Sequence, residues 1–281
     1  VYTIQNSVYP ATNKTLRREK SINSFYGVVS LGWRNMLYLD VTGRNDWSST
    51  LASGNNSYFY PSVSASVLIN EILGGKNPKW IDLLKVRGSW ANVGNDTEPY
   101  QLWGAYANSS VFTGAYGLPG STKNYTLKPE NVESWEVGLE AHFLKNRVVF
   151  DAAYYDSSTT NQIINAPVDA ASGRRTKWIN AGKIRNRGVE LAARIQPVRT
   201  KNFRWDVNLT WSKNWNRVLE LAPGVDSWVI SSGARGQVIA TVGGSLGDLY
   251  GYGYAKAPEG SYILNTDGSR TDVSGQTAID E

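Results

Sequence analysis

The sequence predicts an all-β protein, a segment of transmembrane antiparallel β-barrel, from two observations. Long runs alternate strictly between apolar and polar residues, and period two marks a strand with one face buried. The connections between those runs alternate short, long, short, long. An up-and-down meander then collects every short turn at one end and every long loop at the other, as transmembrane barrels do. A soluble β-sandwich shares the local alternation, but its strands run to about 5–6 residues. Barrel strands need about 9–11, which is closer to the runs here.

In chain order, residues 1–22 are polar and irregular apart from Val1–Ile4. Phe25–Leu31 reads as a strand and 32–35 as a turn. Met36–Arg44 follows, with Leu37, Leu39 and Val41 opposite Tyr38, Asp40 and Thr42. After a Gly/Asn/Ser-rich loop at 45–57, Val63, Ala65, Val67 and Ile69 alternate with Ser62, Ser64, Ser66 and Leu68. A compact connection at 71–82 leads into Leu84–Trp90, and residues 91–132 form a long insertion. Loops beyond about 15 residues are uncommon without a function. The hairpin at 133–156 has the clearest pattern. Trp135, Val137, Leu139, Ala141 and Phe143 form one face, Glu136 and Glu140 lie on the other, and the turn is 144–147. A long segment at 157–183 precedes strands at 189–196 and 204–211, joined by 197–202. From about 218 the periodicity fades. Residues 1–281 thus read as part of one β-barrel domain, with long extracellular loops at about 45–57, 91–132, 157–183 and 218–281.

Composition narrows the chemistry. There is no cysteine, hence no disulfide and no sulfur-ligated metal. The single histidine, His142, removes multi-histidine metal sites and argues against a serine–histidine triad. Net charge is +5 with scattered basic residues, and the RRxK runs at Arg17–Lys20 and Arg174–Lys177 read as solvated loop charges. No nucleic-acid partner is expected. No apolar run approaches 18 residues, so no transmembrane helix is expected. With no signal peptide and no initiating Met, the chain reads as a piece of a longer polypeptide.

Glu136 and Glu140 lie four apart on one strand, about 13 Å at the usual rise, whereas glycosidase carboxylates sit about 5–9.5 Å apart. The Gly243–Gly253 run lacks the P-loop pattern. The reading is of a non-enzyme with no cofactor and no metal. Glu136, Glu140, Asp151, Glu190, Arg194, Arg204 and Asp206 lie opposite the apolar face and are expected to line a polar lumen. Trp135, Phe143, Trp205 and Trp211 are expected to face lipid. The loop aromatics Trp103, Tyr106, Tyr116, Tyr125, Trp178 and Trp228 are the candidates for contact with a substrate or a lid protein.

Six segments resemble the SusC/RagA-like TonB-dependent outer-membrane transporters of Bacteroidetes. Arg44-Asn45-Asp46-Trp47-Ser48-Ser49 resembles the family's R-x-D-x-S-S stretch, and Tyr60-Pro61-Ser62-Val63-Ser64-Ala65 its F/Y-P-S-V-S-A strand start. Leu84–Trp90 followed by Asn92-Val93-Gly94-Asn95 is similar to L-K-x-R-x-S-x-G-x-x-G-N, with Ala91 where glycine is common. Leu127-Lys128-Pro129-Glu130 and Ser134–Glu140 resemble L-K-P-E-x-x-x-x-x-E-x-G. Asn180–Glu190 resembles N-x-G-x-x-x-N-x-G-x-E. Gly243–Tyr252 resembles G-x-P-x-G-x-F-Y-G-Y, with Ser245 where proline is usual.

The resemblance implies a 22-stranded barrel, of which this chain holds about eight strands, with the plug domain outside the chain. It implies an energised outer-membrane importer of large nutrients, glycans or peptides, as a multi-pass β-barrel in a Gram-negative (Bacteroidetes) envelope. The implied partners are a SusD-like surface lipoprotein acting as lid, the remainder of the same transporter including its plug, and the TonB complex through the absent N-terminal part. Membrane lipid and lipopolysaccharide, and a dimer of transporter–lid pairs, complete the set. A passive porin-like channel and a soluble carbohydrate-binding β-protein are the alternatives.

Overall fold

A computed structural model describes residues 17–74, 76–108, 114–233, 236–251, 253–254, 263 and 277–278. Val1–Ile4 and Tyr252 lie outside the described residues. The elements are β1 (Ile22–Trp33), β2 (Leu37–Ser48), β3 (Ser57–Leu68), the one-turn helix α1 (Ile69–Ile72), β4 (Ile81–Asn95), β5 (Ala107–Asn108), β6 (Tyr116–Gly117), β7 (Ser121–Thr122), β8 (Glu130–Phe143) and β9 (Val148–Thr160). They continue with β10 (Ile163–Pro167), β11 (Thr176–Asn180), β12 (Lys183–Arg199), β13 (Arg204–Glu220), β14 (Ser227–Ser232), β15 (Gly236–Thr241), β16 (Asp248–Gly251) and β17 (Thr277–Ala278).

Eight long strands form one antiparallel sheet in the order β1-β2-β3-β4-β8-β9-β12-β13. The register shows why the alternation runs so far. Ser62, Ser64 and Ser66 lie opposite Thr42, Asp40 and Tyr38 on one side, while Val63, Ala65 and Val67 lie opposite Val41, Leu39 and Leu37. A shift of one residue would exchange the two faces of a strand. The sheet is one layer thick. Val29, Val137 and Leu209 remain 56%, 50% and 57% exposed, so among the described residues no second sheet covers the apolar face. A soluble sandwich would bury it.

The expectation of a barrel is corrected here: the sheet is open. Among the described residues β1 pairs only with β2 and β13 only with β12. Period-two patterning specifies faces and neighbours, but closure depends on the first and last strands meeting, which no local pattern encodes. A closed eight-stranded barrel also has a side-chain-packed interior, and the charged polar face cannot pack that way. The openness equally overturns the expected multi-pass barrel placement in an outer membrane and the description of these elements as transmembrane β-strands. No helix among the described residues is long and apolar enough to cross a membrane.

Short turns do collect at one end of the sheet and long connections at the other. Arg34 and Asn35 adopt φ of 51° and 56°, and the Met36 amide donates to Trp33 O at 3.0 Å. That is the left-handed pair of a type I′ hairpin, made without glycine. The β8–β9 turn has three such residues, Leu144, Lys145 and Asn146, at φ 55°, 59° and 60°. Bonds from outside hold it: Leu144 N to Trp80 O at 2.9 Å, Asn146 N to Asp82 Oδ2 at 2.9 Å, and Asn146 Oδ1 against His142 Nδ1 at 2.7 Å. Left-handed φ costs L-residues about 1–2 kcal/mol each. Lys145→Gly is therefore expected to raise stability by up to about 1 kcal/mol, and Lys145→Val to lower it by about 1–2 kcal/mol. Thermal unfolding of the two variants side by side checks the sign of each.

At the long-loop end a second small sheet, β14-β15-β16-β17, follows β13. It seats on a cluster of Ile184, Val218, Leu221 and Ala240, with Val225, Trp228 and Leu246 packed against it.

Candidate functional site

The two longest internal connections, 96–129 and 161–182, leave neighbouring strands β4, β8, β9 and β12 at the same end. They are stitched together there. Strand β7 of the first pairs in parallel with β11 of the second, and β11 pairs antiparallel with β10. The Arg175 and Thr176 amides both donate to Gly120 O, at 2.7 and 3.2 Å. The Asn180 side chain donates to Lys128 O at 2.7 Å and Asn161 O at 3.0 Å, and accepts from Lys128 N at 2.8 Å. Ser121 Oγ meets Asn165 Oδ1 at 3.0 Å.

Between the two loops lies a cavity of about 230 Å3 lined by Tyr106, Pro119, Ser121, Thr122, Lys123 and Arg174, with Gly104 and Ala105. Trp103 and Tyr125 stack beside one another, centroids 4.6 Å apart at 44°. The Lys123 ammonium donates to Gln101 Oε1 and sits 5.6 Å from the Trp178 ring centroid. Burial pushes Lys123 below the ordinary lysine pKa. Arg174 donates one guanidinium N–H to Pro119 O at 2.7 Å.

Of the loop aromatics expected to bind, Trp103, Tyr106, Tyr125 and Trp178 thus fall in or beside one cleft. Tyr116 is exposed on β6, and Trp228 packs against the Ile184–Val218 cluster; neither lines the cavity. Lys123 and Arg174 were not singled out by sequence. Arg174 belongs to an RRxK run read as solvated charge, yet it lines the cleft. The available signal was the absence of any acid between residues 99 and 128.

The polar sheet face carries its own network. Arg87 reaches Asp151 on β9 at 2.7 Å and Glu136 on β8 at 3.5 Å. Glu140 meets Lys85 at 3.5 Å and His142 Nε2 at 2.9 Å. Glu190 and Arg194 share this face by register, as do Arg204 and Asp206, paired at 2.6 Å. Trp135, Phe143, Trp205 and Trp211 lie on the opposite face. Trp135 stacks on Tyr154 at 5.3 Å, and Phe143 on Trp80 at 5.6 Å. Among the described residues no group of three His, Cys, Asp or Glu is placed to hold a metal. Glu136 and Glu140 each face a basic side chain, so neither is poised as an acid–base pair.

Fold and cleft together define a class: a long-stranded amphipathic sheet with a cleft between the loops at one end. Residues 1–278 match the family described as TonB dependent receptor-like, beta-barrel, and the chain belongs to that family. It is 30% identical over 210 residues to TonB-dependent receptor P26 of Formosa agariphila, covering 73% of this chain and 21% of that protein. To TonB-dependent receptor SusC of Bacteroides thetaiotaomicron it is 27% identical over 217 residues, again 73% of this chain and 21% of the relative. The chain thus spans about a fifth of each of these relatives. Among solved structures, the RagAB peptide transporter superposes with a TM-score of 0.79 at 21% identity, over 100% of this chain and 33% of that one. The RagAB peptide importer in its closed-closed state gives 0.76 at 22% identity, over 92% and 30%. Those likenesses establish fold. The named relatives are receptors.

Proposed function

We propose that this chain forms the cargo-facing part of a TonB-dependent, energised importer of large nutrients, glycans or peptides, that works with a SusD-like lid lipoprotein. The observation that carries this is the gathering of four aromatic side chains and an open cleft on the loops at a single end of the sheet. The names of the relatives support the TonB-dependent half of the reading, and the RagAB likeness supports the lid. In this reading Trp103, Tyr106, Tyr116, Tyr125, Trp178 and Trp228 contact cargo or lid. Glu136, Glu140, Asp151, Glu190, Arg194, Arg204 and Asp206 face the plug, where fixed charges meet complementary ones. Trp135, Phe143, Trp205 and Trp211 face lipid, and lipopolysaccharide borders the long-loop end.

Uptake of labelled oligopeptides and oligosaccharides by cells carrying the full-length protein tests the proposal. Uptake is expected to stop when an uncoupler collapses the proton gradient, and Trp103→Ala is expected to weaken cargo binding about tenfold, the loss of one aromatic contact. Uptake indifferent to the uncoupler would instead support a passive channel. The lid is expected to co-purify with the full-length protein, and its absence from the purified assembly would remove the lid from the reading.

A further inference from the structure

We propose that the cleft between the 96–129 insertion and the 161–182 loop takes a carboxylate of the cargo, with Lys123 and Arg174 as its cation pair and the Trp103–Tyr125 stack beside it. The proposal rests on the cargo-binding reading above and names the substrate class for it: an acidic oligomer.

Three observations converge. First, Lys123 and Arg174 line the same cavity, and neither forms an ion pair among the described residues. Three basic side chains nearby do find acids: Lys20 is paired with Asp96, Arg18 with Glu98 and Arg185 with Asp156. Two like charges brought together without a counter-charge oppose the fold that places them there. Here an anion from outside would relieve that opposition.

Second, past Asp96 and Glu98, which pair with Lys20 and Arg18, both loops carry an excess of cations. Residues 99–128 contain Lys123 and Lys128 and no acid, while 161–182 contain Arg174, Arg175 and Lys177 against Asp169 alone. The two segments together carry +4 of the chain's +5. That local excess of cations on the two loops draws anions toward the cleft.

Third, size and donors fit a group rather than a whole ligand. The cavity of about 230 Å3 is below the roughly 300–1,000 Å3 of pockets that engulf a small molecule. One guanidinium N–H of Arg174 is engaged by Pro119 O and one ammonium proton of Lys123 by Gln101. The remaining donors of an Arg fork match a carboxylate's two oxygens. The rest of the oligomer would lie across the exposed faces of Trp103 and Tyr106, which are 70% and 69% exposed.

The site has a pH dependence. Facing Lys123 are Arg174 and Tyr106 in the cleft, and Lys177 lies on β11 opposite Thr122. Burial already lowers the Lys123 pKa below 10.5. As pH rises through that lowered value the amine loses its proton, so preference for the anion declines before the ordinary lysine range is reached. Arg174 stays charged, so a residue of preference persists.

The test is calorimetric binding to the purified full-length protein with two matched pairs of probes: pentagalacturonate against its methyl ester, and pentaglutamate against pentaglutamine. The acidic member of at least one pair is expected to bind ten-fold or more tighter than its neutral twin. Which pair responds tells sugar carboxylate from peptide carboxylate. The double variant Lys123→Gln, Arg174→Gln is expected to erase that difference, and Lys123→Arg to keep it, which separates charge from packing against Trp178. Equal binding of acidic and neutral twins, both weakened by Trp103→Ala, would overturn the carboxylate site and leave the cargo reading standing. Binding of none of the four probes by the wild type would overturn both. A charge preference that survives the double variant would place the anion elsewhere and overturn the assignment.

Discussion

Replacing Asp96 by alanine is expected to free the 49–56 loop from the base of the insertion and to cost about 3 kcal/mol. Asp96 is the first residue after β4 and is 8% exposed. Its carboxylate accepts from the hydroxyls of Ser48 and Thr50, the latter at 3.1 Å, and from the Lys20 ammonium. Ser48 and Thr50 are themselves 1% and 3% exposed. Truncation would leave two buried hydroxyls with one fewer partner and a half-exposed lysine unpaired. Each orphaned buried group costs about 1–3 kcal/mol. The same loop also holds the insertion from its other side: Asn55 Nδ2 donates to Leu127 O at 3.2 Å, and the Leu127 side chain is fully buried. Hydrogen exchange reads the effect directly. Amides at 49–56 and 123–128 are expected to lose protection by about 100-fold in Asp96→Ala, which is what about 3 kcal/mol of local opening amounts to. Asp96→Asn keeps the shape and is expected to lose about tenfold. Unchanged protection in the alanine variant would show that Leu127 packing, and not the carboxylate, anchors the insertion.

Much of this sheet was legible in the sequence. Val63, Ala65 and Val67 against Ser62, Ser64 and Ser66 fix the faces of β3 and exclude a one-residue slip, which would turn all three serines to the apolar side. The ends were less legible. β12 and β13 run 17 residues each, well past the expected 189–196 and 204–211. Beyond Gly188 and Lys213 polar and apolar residues mix on both faces, with Arg185 opposite Arg217 on the side of Val189 and Ile184 opposite Val218 on the side of Glu190, so the alternation loses its contrast. The stitch between β7 and β11 was not legible at all. A two-residue parallel pairing has no period, and its partners lie more than 50 residues apart. The cleft cations share that difficulty, since a lysine in a loop reads as solvated until the fold shows what it faces. Closure failed for a different reason, being a property of strands β1 and β13 together and of neither alone.

The motif glycines, by contrast, were legible as a resemblance and acquire a physical cause here. A Cβ on Gly138 would lie 2.6 Å from the Arg87 guanidinium, which passes over β8 on its way to Asp151. A Cβ on Gly188 would lie 2.6 Å from the Tyr155 ring and 2.8 Å from the Lys213 carbonyl oxygen. In both, a strand-interior glycine lets a long side chain cross a neighbouring strand. Arg87 can give way, because its two closest atoms, Cζ and Nε, belong to the far end of a flexible chain. Gly188 has no such relief. Tyr155 is tied to Asn214 Oδ1 at 3.1 Å, and the Lys213 carbonyl is backbone in the β12–β13 ladder. Gly188→Val is therefore expected to destabilise by about 2–3 kcal/mol, the range for overpacking a filled site, whereas Gly138→Ala is expected to stay near 1 kcal/mol or below. The two contacts at Gly188 can be separated. Adding Tyr155→Ala to Gly188→Val removes the ring clash and leaves the carbonyl clash. The double variant is expected to be less destabilised than the sum of the two single changes, while β12–β13 amides exchange faster than in Tyr155→Ala alone. Strict additivity of the two substitutions, measured by denaturant unfolding, would mean that Tyr155 does not cross β12 at Gly188 and that the glycine answers to the backbone alone.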